Sequence, residues 1–342
     1  MTEVQLSVLD LAPVVAGSSP DRALRNALEL ARAAERLGFR RYWVAEHHNM
    51  PGVASSAPAV LLASVAGVTE RIRIGSGGVM LPNHTPLVIA EQFGMLEALN
   101  PGRVDLGIGR APGTDPTTAA ALRRSVDGLS AEEFPRHLGE LLSFFDGRFP
   151  DGHPYASIKA VPAFGYRPEV WLLGSSDYSA RLAGYLGLPF SFAHHFSAAN
   201  TDAAVAIYRA SFQPSDVLAE PHLMLGVNVV CAETDREADR LAASFRLSMV
   251  RLRTGRPGLL PTPEEAAEYR FTPAESELAR SLGASHVVGS PETVTAGLEA
   301  LVARTGADEL IVTTSVHDHG ARVRSFELTA AAMGLGPPSV EG

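Results

Sequence analysis

The sequence predicts an α/β protein, and within that class a (β/α)8 TIM barrel with inserted loops. Two observations lead to this prediction. Eight short apolar runs alternate with longer segments in which apolar residues recur at helical spacing, a pattern typical of a parallel sheet with crossover helices. Polar residues recur directly after these runs, where the active site of such a barrel lies. An open doubly wound sheet is the alternative fold for the same alternation.

The predicted strands are short runs rich in branched and aromatic residues and bounded by turn-forming residues. They are expected, in order, at 4–10, 42–45, 72–81, 104–108, 170–173, 190–193, 223–231 and 309–314. Because consecutive strands are separated by helical segments, we expect them to run parallel.

The predicted helices show apolar positions three and four residues apart. They are expected at 20–37, 58–68, 86–99, 131–145, 175–186, 199–212, 235–252, 291–304 and 322–333. The first helix has Pro20 at its start and Gly38 just after its end, which are the preferred residues at those positions. Three stretches rich in Gly or Pro are expected to be mainly irregular, with some helix in the third, and to contain loops that shape a substrate pocket: 110–129, 146–167 and 254–283.

The composition restricts the possible partners. The 342 residues are 46% hydrophobic and carry a net charge of −9, so neither nucleic acid nor an anionic membrane is an expected partner. We find no signal peptide and no apolar run long enough to span a bilayer. Cys231 is the only cysteine, which excludes an internal disulfide and leads us to expect a cytoplasmic protein. No sharp change in composition divides the chain, so a single domain over 1–342 is expected.

Polar groups follow most of the predicted strands, and in a barrel these strand ends meet at one rim. In chain order they are Asp10, the triplet Glu46-His47-His48, the glycine-rich 75–78, Arg110, Ser175-Ser176, and His194-His195. Their recurrence at one end of the predicted barrel is stronger evidence for a site than any one of them.

The stretch V-A-E-H-H-N-M-P-G at 44–52 ends a strand with a carboxylate and two imidazoles. Adjacent residues of an extended chain point to opposite sides, so we expect one of His47 and His48 to face the barrel mouth. Histidine suits general base catalysis near neutral pH, and a nearby carboxylate can raise its pKa. A charged strand end that only faces water is the competing interpretation.

Metal catalysis is a rival explanation for the histidines. His317 and His319 form an H-x-H, and histidine pairs occur at 47–48 and 194–195. However, the H-x-H follows the last strand, no H-E-x-x-H is present, and neither pair has a typical chelate spacing. We therefore expect no metal.

Two further patterns concern a phosphate-bearing ligand. G-I-G-R-A-P-G at 107–113 has Pro112 where a dinucleotide fingerprint has its third glycine, so Rossmann-type binding is not expected. Arg110 and the serines of L-L-G-S-S-D-Y-S at 172–179 instead favour an anion site at a helix start, although an ordinary N-cap explains the serines alone. Gly77-Gly78 interrupt an apolar strand and indicate a bulge or the close approach of a flat ligand.

In this order the motifs resemble the bacterial luciferase-like family of flavin-dependent monooxygenases. The resemblance covers most of the chain and rests on A-E-H-H, I-G-S-G-G-V-M-L-P, A-E-Q-F-G-M-L-E-A-L-N-P-G-R, V-D-L-G-I-G-R and W-L-L-G-S-S-D-Y-S-A-R-L-A. It implies a barrel with insertions that receives reduced FMN from a separate reductase, activates O2 as a flavin C4a-peroxide and oxygenates a small organic substrate. Family members are often homodimers, for which the second and third helices are candidate interface elements.

The resemblance also implies residue roles. His47 matches the catalytic histidine, with His48 beside it, and Gly77-Gly78 match a non-proline cis peptide under the isoalloxazine ring. The residues that match the phosphate shell are Arg110, Ser175, Ser176 and Ser179.

Other parts of the chain are assigned in the same way. His194 falls where an aromatic residue meets the pyrimidine ring, and 254–283 matches a mobile loop over the active site. Met50, Phe192 and Phe196 are candidates for the substrate pocket. Two alternatives remain open on the same fold: hydride transfer with the deazaflavin F420, and flavin binding without catalysis. The E-H-H triplet argues against the second, because a pure binder does not need it.

Overall fold

A closed parallel barrel organises the chain in a computed structural model that describes residues 4–111, 113–123 and 133–336. Its strands are β1 (Gln5–Asp10), β2 (Arg41–Val44), β3 (Arg73–Met80), β4 (Val104–Gly109), β5 (Glu169–Gly174), β6 (Phe190–Phe192), β7 (Leu223–Cys231), β8 (His286–Gly289) and β9 (Glu309–Thr313). Strands β1 to β7 pair in order, β7 then pairs with β9, and β9 pairs with β1, which closes eight strands into a barrel. The predicted (β/α)8 barrel is therefore confirmed.

Helices surround the barrel and connect its strands. They are α1 (Pro20–Leu37), α2 (Pro58–Ala66), α3 (Pro86–Leu99), α4 (Pro116–Arg123), α5 (Phe134–Asp146), α6 (Asp177–Tyr185), α7 (His194–Ser197), α8 (Thr201–Ser211), α9 (Asp235–Arg253), α10 (Pro263–Glu268), α11 (Pro273–Gly283), α12 (Pro291–Thr305) and α13 (His319–Ala332). Helix α1 has the predicted limits, with Pro20 at its first position. Gly38 follows its end with a left-handed φ of 85°, a conformation that glycine adopts without the steric strain of a Cβ.

Strand β8 is the main difference from the predicted order of elements. It has four residues and pairs with the second half of β7, from Asn228 to Cys231. Because Asn228 also pairs with Thr313 of β9, β8 lies on the edge of β7 that the three-residue β6 leaves uncovered. Its sequence H-V-V-G contains only two apolar residues, fewer than any of the predicted strands, so the apolar pattern does not indicate it. The predicted irregular stretch 110–129 contains α4, and its residues 112 and 124–129 lie outside the described ranges. The stretch 254–283, where some helix is expected, contains α10 and α11.

The lower part of the barrel interior is filled by charged side chains. Arg41 pairs with Asp105 at 2.9 Å and with Glu309 at 3.1 Å. Arg73 pairs with Asp105 and, at 3.0 Å, with Glu169. These residues lie at the starts of β2, β3, β4, β5 and β9, so the network closes the end of the barrel at which the strands begin.

An apolar layer lies directly above this network. Trp43 and Trp171 meet edge to face, with their ring centroids 5.3 Å apart. The other residues of the layer are Leu9, Ala45, Met224 and Ile311. Trp43, Trp171 and Ile311 each lie two residues beyond a charged residue of the network on the same strand. Their side chains therefore point into the barrel, as the two-residue period of strands requires. The layer forms a floor beneath the rim where the strands end.

Candidate functional site

Two adjoining cavities open at the rim where the strands end. The smaller has a volume of about 320 Å³ and the larger about 650 Å³. Five residues border both cavities: Leu11, His47, Gly113, His195 and Phe196. The cavities therefore adjoin, and His47 and His195 lie at their junction.

Gly77 and Gly78 form one wall of the smaller cavity. The peptide bond between them is cis, as the family resemblance implies, and the β3–β4 register shifts at this point. A Cβ on Gly77 would lie 2.6 Å from Leu9 Cδ1, and one on Gly78 would lie 2.8 Å from the Gly107 carbonyl oxygen. Side chains are therefore excluded here, which leaves a backbone surface that a flat ring system can approach.

The far end of the smaller cavity is suited to an anion. Arg110 lines it, with its guanidinium 4.2 Å from the centre of the Tyr178 ring. Ser175, Ser176 and Ser179 line the same end. Ser176 is the N-cap residue of α6, but its side chain makes no capping hydrogen bond, so the amide groups at the helix start have no partner from it. An arginine, hydroxyl groups and a helix N-terminus are groups that bind anions in proteins.

His47 is held in one orientation at the junction of the cavities. Its backbone N–H donates to the Ser55 carbonyl at 3.0 Å, and its Nδ1 lies 3.3 Å from the Gly113 carbonyl oxygen. Because a carbonyl only accepts, Nδ1 carries the proton, and Nε2 of the neutral ring is left as an acceptor. Burial lowers the pKa of His47 below its usual value of 6.5, against the opposing effects of Gly113 and Glu46. His47 is therefore neutral at pH 7.

His48 points in a different direction, as predicted from the alternation of adjacent residues. It borders only the larger cavity, and its Nε2 donates to Glu46 at 2.9 Å. The fully buried Glu46 also accepts hydrogen bonds from the Met80 backbone N–H at 3.0 Å and from His84 Nε2 at 2.9 Å. Burial raises the pKa of Glu46, but these hydrogen bonds hold it below its usual value. Glu46 is thus an anionic anchor that fixes the loops after β2 and β3.

His194 is not brought together with the other predicted site residues. Its Nδ1 lies 2.7 Å from Thr201 Oγ1, and it borders neither cavity. Its neighbour His195 borders both, packed so closely on Gly226 that a Cβ there would lie 2.5 Å from its Nδ1. Burial lowers the pKa of His195 to about 4. The residue that faces the ligand space is therefore His195, and the prediction of His194 needs this correction.

The larger cavity is built mainly from residues that the sequence analysis did not single out. One face of α9 contributes Phe245, Ser248, Met249 and Leu252, which are spaced as one helical stripe. Met50 and Phe196 line this cavity, as predicted. Phe192 does not, because it points outward from β6 into the core between the barrel and its helices.

The loop after α9 covers the larger cavity. Gly255, Pro257, Gly258 and Leu260 line it. Leu260 is bound to the segment after β1, since its N–H donates to the Val14 carbonyl at 3.0 Å and its carbonyl accepts from Ala16 at 2.8 Å. The predicted covering loop is thus in place over the cavity.

The two histidines of the H-x-H motif border neither cavity and contact other parts of the chain. His317 Nε2 lies 3.0 Å from the Ala16 carbonyl oxygen, and His319 faces Glu29 at 3.4 Å. Within the described ranges, no group of three or more His, Cys, Asp or Glu side chains is arranged to hold a metal ion. In the same part of the chain, no helix is both long and apolar enough to cross a membrane.

Comparisons with known proteins agree with this geometry. Residues 4–309 match the family model described as luciferase-like monooxygenase. A protein of Escherichia coli (strain K12) named luciferase-like monooxygenase is 46% identical over 95% of this chain and 96% of its own length. The N-acetyl-S-alkylcysteine monooxygenase of Bacillus subtilis (strain 168) is 33% identical over 96% of this chain and 98% of its own length.

Solved structures share the fold. The crystal structure of apo-MsnO8 is 41% identical, with a TM-score of 0.86 over 98% of this chain and 99% of that one. The oxygenating constituent of 3,6-diketocamphane monooxygenase from Pseudomonas putida, in complex with FMN, has a TM-score of 0.72 at 21% identity, covering 98% and 99% of the two chains. An F420-dependent secondary alcohol dehydrogenase has a TM-score of 0.66 at 14% identity, covering 97% and 99%. At these lower identities the likeness shows the fold alone.

Proposed function

The chain belongs to the luciferase-like monooxygenase family, and we propose that it is a two-component enzyme that uses reduced FMN and O2 to oxygenate a small organic substrate. The prediction of a luciferase-like monooxygenase is confirmed by the family match and by relatives that carry this name. The cofactor, its source and the substrate are the proposed parts.

The observation that carries the proposal is the smaller cavity. It brings His47, Gly77-Gly78, Arg110 and the serines of β5 and α6 around one space. Gly77 and Gly78 would face the isoalloxazine ring, and the floor beneath it consists of apolar side chains such as Leu9 and Trp43. Arg110 with Ser175, Ser176 and Ser179 would hold the phosphate. The residues present therefore fit FMN at both ends.

Reduced flavin, when bound, would supply the two electrons with which one oxygen atom of O2 enters the substrate and the other leaves as water. His47 lies at the junction with the larger cavity, where the reaction must occur. Its unprotonated Nε2 can accept a proton and return it, because the ring is neutral and is held by Gly113 through Nδ1. The covering loop and the apolar side chains of the lining would limit the access of water to the reacting groups, which reduces side reactions.

FMN suits the anion-binding end of the smaller cavity better than F420 does. Arg110 is the only arginine or lysine among the described residues that line the smaller cavity. A single guanidinium matches the single terminal phosphate of FMN, whereas the tail of F420 carries further anionic groups. Pro112 in the 107–113 motif argues against a nicotinamide site on this chain. We therefore propose that a separate reductase delivers the reduced flavin.

We further propose that the chain forms a homodimer through α2 and α3. Helix α2 carries no charged residue, and the outer faces of the two helices expose Val60, Val88, Met95 and Leu99, with 70% of Val60 and 74% of Leu99 accessible. A cluster of exposed apolar side chains on neighbouring helices marks an interaction surface. A single-domain enzyme of the cytoplasm, where reduced flavin is made, is consistent with the lone, buried Cys231.

An anaerobic titration tests the proposal. Protein stripped of flavin is titrated under argon with photoreduced FMN, oxidised FMN and reduced F420, and free and bound cofactor are separated by ultrafiltration. We expect reduced FMN to bind more tightly than the other two. A preference for F420 would assign hydride transfer to this site, and the absence of binding by any of the three would refute flavin-dependent catalysis.

A further inference from the structure

We propose that the larger cavity selects an uncharged, mainly apolar substrate and binds its one polar group at Asn228, beside Thr313 and Ser315. This inference rests on the proposed function, because it assigns the larger cavity to the substrate that reacts at His47. It assigns specificity to a polar patch that lies on the strands, away from the flavin end of the site.

The position of Asn228 is fixed by the barrel. On β7, Met224, Gly226 and Asn228 alternate inward: Met224 lies in the floor, Gly226 packs on His195, and Asn228 lines the larger cavity. Asn228 pairs in register with Thr313 of β9 and with His286 of β8. Strands on both sides therefore hold its backbone, and the side chain has little freedom to turn away from the cavity.

The side chain of Asn228 is available to a ligand. It is 4% exposed and makes no hydrogen bond with any described residue. The Thr313 and Ser315 hydroxyls border the same part of the cavity and are likewise not engaged within the described chain. Buried amides and hydroxyls are nearly always hydrogen-bonded in proteins. An open amide with two hydroxyls in an apolar cavity is thus suited to a carbonyl, hydroxyl or amide of the substrate.

The side of the cavity formed by α9 and the two neighbouring loops is mainly apolar. The α9 stripe supplies Phe245, Met249 and Leu252, and Met50 and Leu260 face it from the loop after β2 and from the covering loop. Long, flexible methionine side chains adapt to the shape of an apolar ligand. The body of the substrate is therefore apolar, and its polar group lies at the β7–β9 side.

The charges around the cavity disfavour an anion. No arginine or lysine is found among the described lining residues. Arg251 and Arg256, on α9 and in the covering loop, are paired with Glu265 at 2.8 Å and with Glu275 at 2.6 Å. At the cavity itself, Asp115 adds a carboxylate.

The histidines of the lining do not supply a counter-ion for a substrate carboxylate. Burial keeps His47 and His195 neutral at pH 7 by lowering their pKa values. The Nε2 of His48 is already bonded to Glu46. A carboxylate in this cavity would lose its hydration without gaining a cationic partner, which is unfavourable.

Matched ester and acid pairs test the inference without flavin or O2. The probes are N-acetyl-S-hexylcysteine and its methyl ester, and 1-naphthylacetate and its methyl ester. Binding to flavin-free protein is measured by isothermal titration calorimetry under argon. We expect each ester to bind at least ten-fold more tightly than its acid, a difference of about 1.4 kcal/mol. Equal or tighter binding of the acids, or no binding by either ester, overturns the proposed substrate class.

The variant Asn228→Leu tests the polar anchor. We expect it to weaken both esters about five- to ten-fold while leaving the binding of hexyl methyl sulfide, which lacks a carbonyl, unchanged. Asn26→Leu is the matched control, because Asn26 lies on α1 and borders neither cavity, and it should leave ester binding unchanged. Unaltered ester binding in Asn228→Leu refutes the role of Asn228. Flavin affinity is measured in a separate titration. If the protein prefers the esters but binds no FMN, the proposed function is refuted and the inference about the larger cavity stands.

Discussion

Replacing Arg110 with methionine should weaken the binding of FMN and leave the binding of riboflavin unchanged. The two ligands differ only in the phosphate, which we assign to Arg110 and the serines at the start of α6. Methionine keeps the length and apolar bulk of the side chain but removes the charge, so the ring end of the cavity should keep its shape.

The size of the effect follows from the surroundings of Arg110. A hydrogen bond to a charged group contributes about 1.5–3 kcal/mol. Because Arg110 is half-buried, solvent screens part of this energy, and we take about 1.5–2 kcal/mol, or about a ten- to thirty-fold rise in Kd. The Tyr178 ring, 4.2 Å from the guanidinium, fixes its direction. Tyr178→Leu should therefore give a smaller rise of about two- to five-fold.

The assay is an anaerobic titration of each variant with photoreduced FMN and photoreduced riboflavin. The ratio of the two Kd values isolates the phosphate contribution, because damage to the ring pocket affects both ligands. An Arg110→Met variant that loses FMN and riboflavin affinity equally, or keeps FMN affinity, would show that the phosphate does not bind at Arg110.

Three further predictions concern the histidines. His47→Asn should retain FMN affinity within about two-fold but reduce product formed per FMNH2 oxidised by at least about 100-fold, since the amide lacks a basic nitrogen; undiminished oxygenation of a neutral thioether by this variant would remove His47 from the mechanism. Gly226→Ala should displace His195 and reduce oxygenation. Gly139→Ala on α5, whose Cβ would meet open space away from both cavities, should have no effect. Equal activities of the two variants would contradict the assigned position of His195. Stability should fall between pH 6.5 and pH 4, because the folded chain keeps His195 and His286 neutral down to about pH 4 while the unfolded chain takes up protons from about pH 6.5. Each histidine contributes about 1.4 kcal/mol of this loss at pH 5.5. In urea denaturation, the free energy of unfolding of His286→Gln should fall less steeply between pH 6.5 and pH 4 than that of the parent. An equally steep fall would contradict the neutral state of the His286 ring in the folded chain.

The two-residue period of strands is an informative signal in the sequence for the direction of the histidines. It separates His47, which faces inward after Trp43 and Ala45, from His48. The same count along β6, from Ser191 through Ala193, leads to His195. Phe190 and Phe192 face the outer core, and His194 follows them on that side. Because β6 ends at Phe192 and α7 begins at His194, the direction of these two histidines also depends on the helical turn of α7.

Other site residues could not be found from local pattern. Asn228 lies within β7, where all nine residues are buried, and only the closed barrel shows which of them reach a cavity. The α9 stripe had the correct helical spacing, but an apolar stripe is more often part of the core than of a binding site. Its position over the strand ends depends on the covering loop after α9, which is linked to the segment after β1.

The glycine and serine motifs carried more information because backbone geometry restricts them. Gly77 and Gly78 lie where a Cβ would meet Leu9 or the Gly107 backbone, so this position excludes larger residues. Strand β8 and α4 were missed because short elements carry few periodic positions, and their placement depends on packing against β7 and the loops of the rim.

The most direct test of the account is a crystal structure of the protein grown anaerobically with reduced FMN. We expect the phosphate within hydrogen-bonding distance of Arg110 and the serines at the start of α6, the ring against Gly77-Gly78, and His47 Nε2 facing the ring edge at the junction with the larger cavity. FMN bound in the larger cavity against Asn228, or with its phosphate away from Arg110, would contradict the assignment of the two cavities.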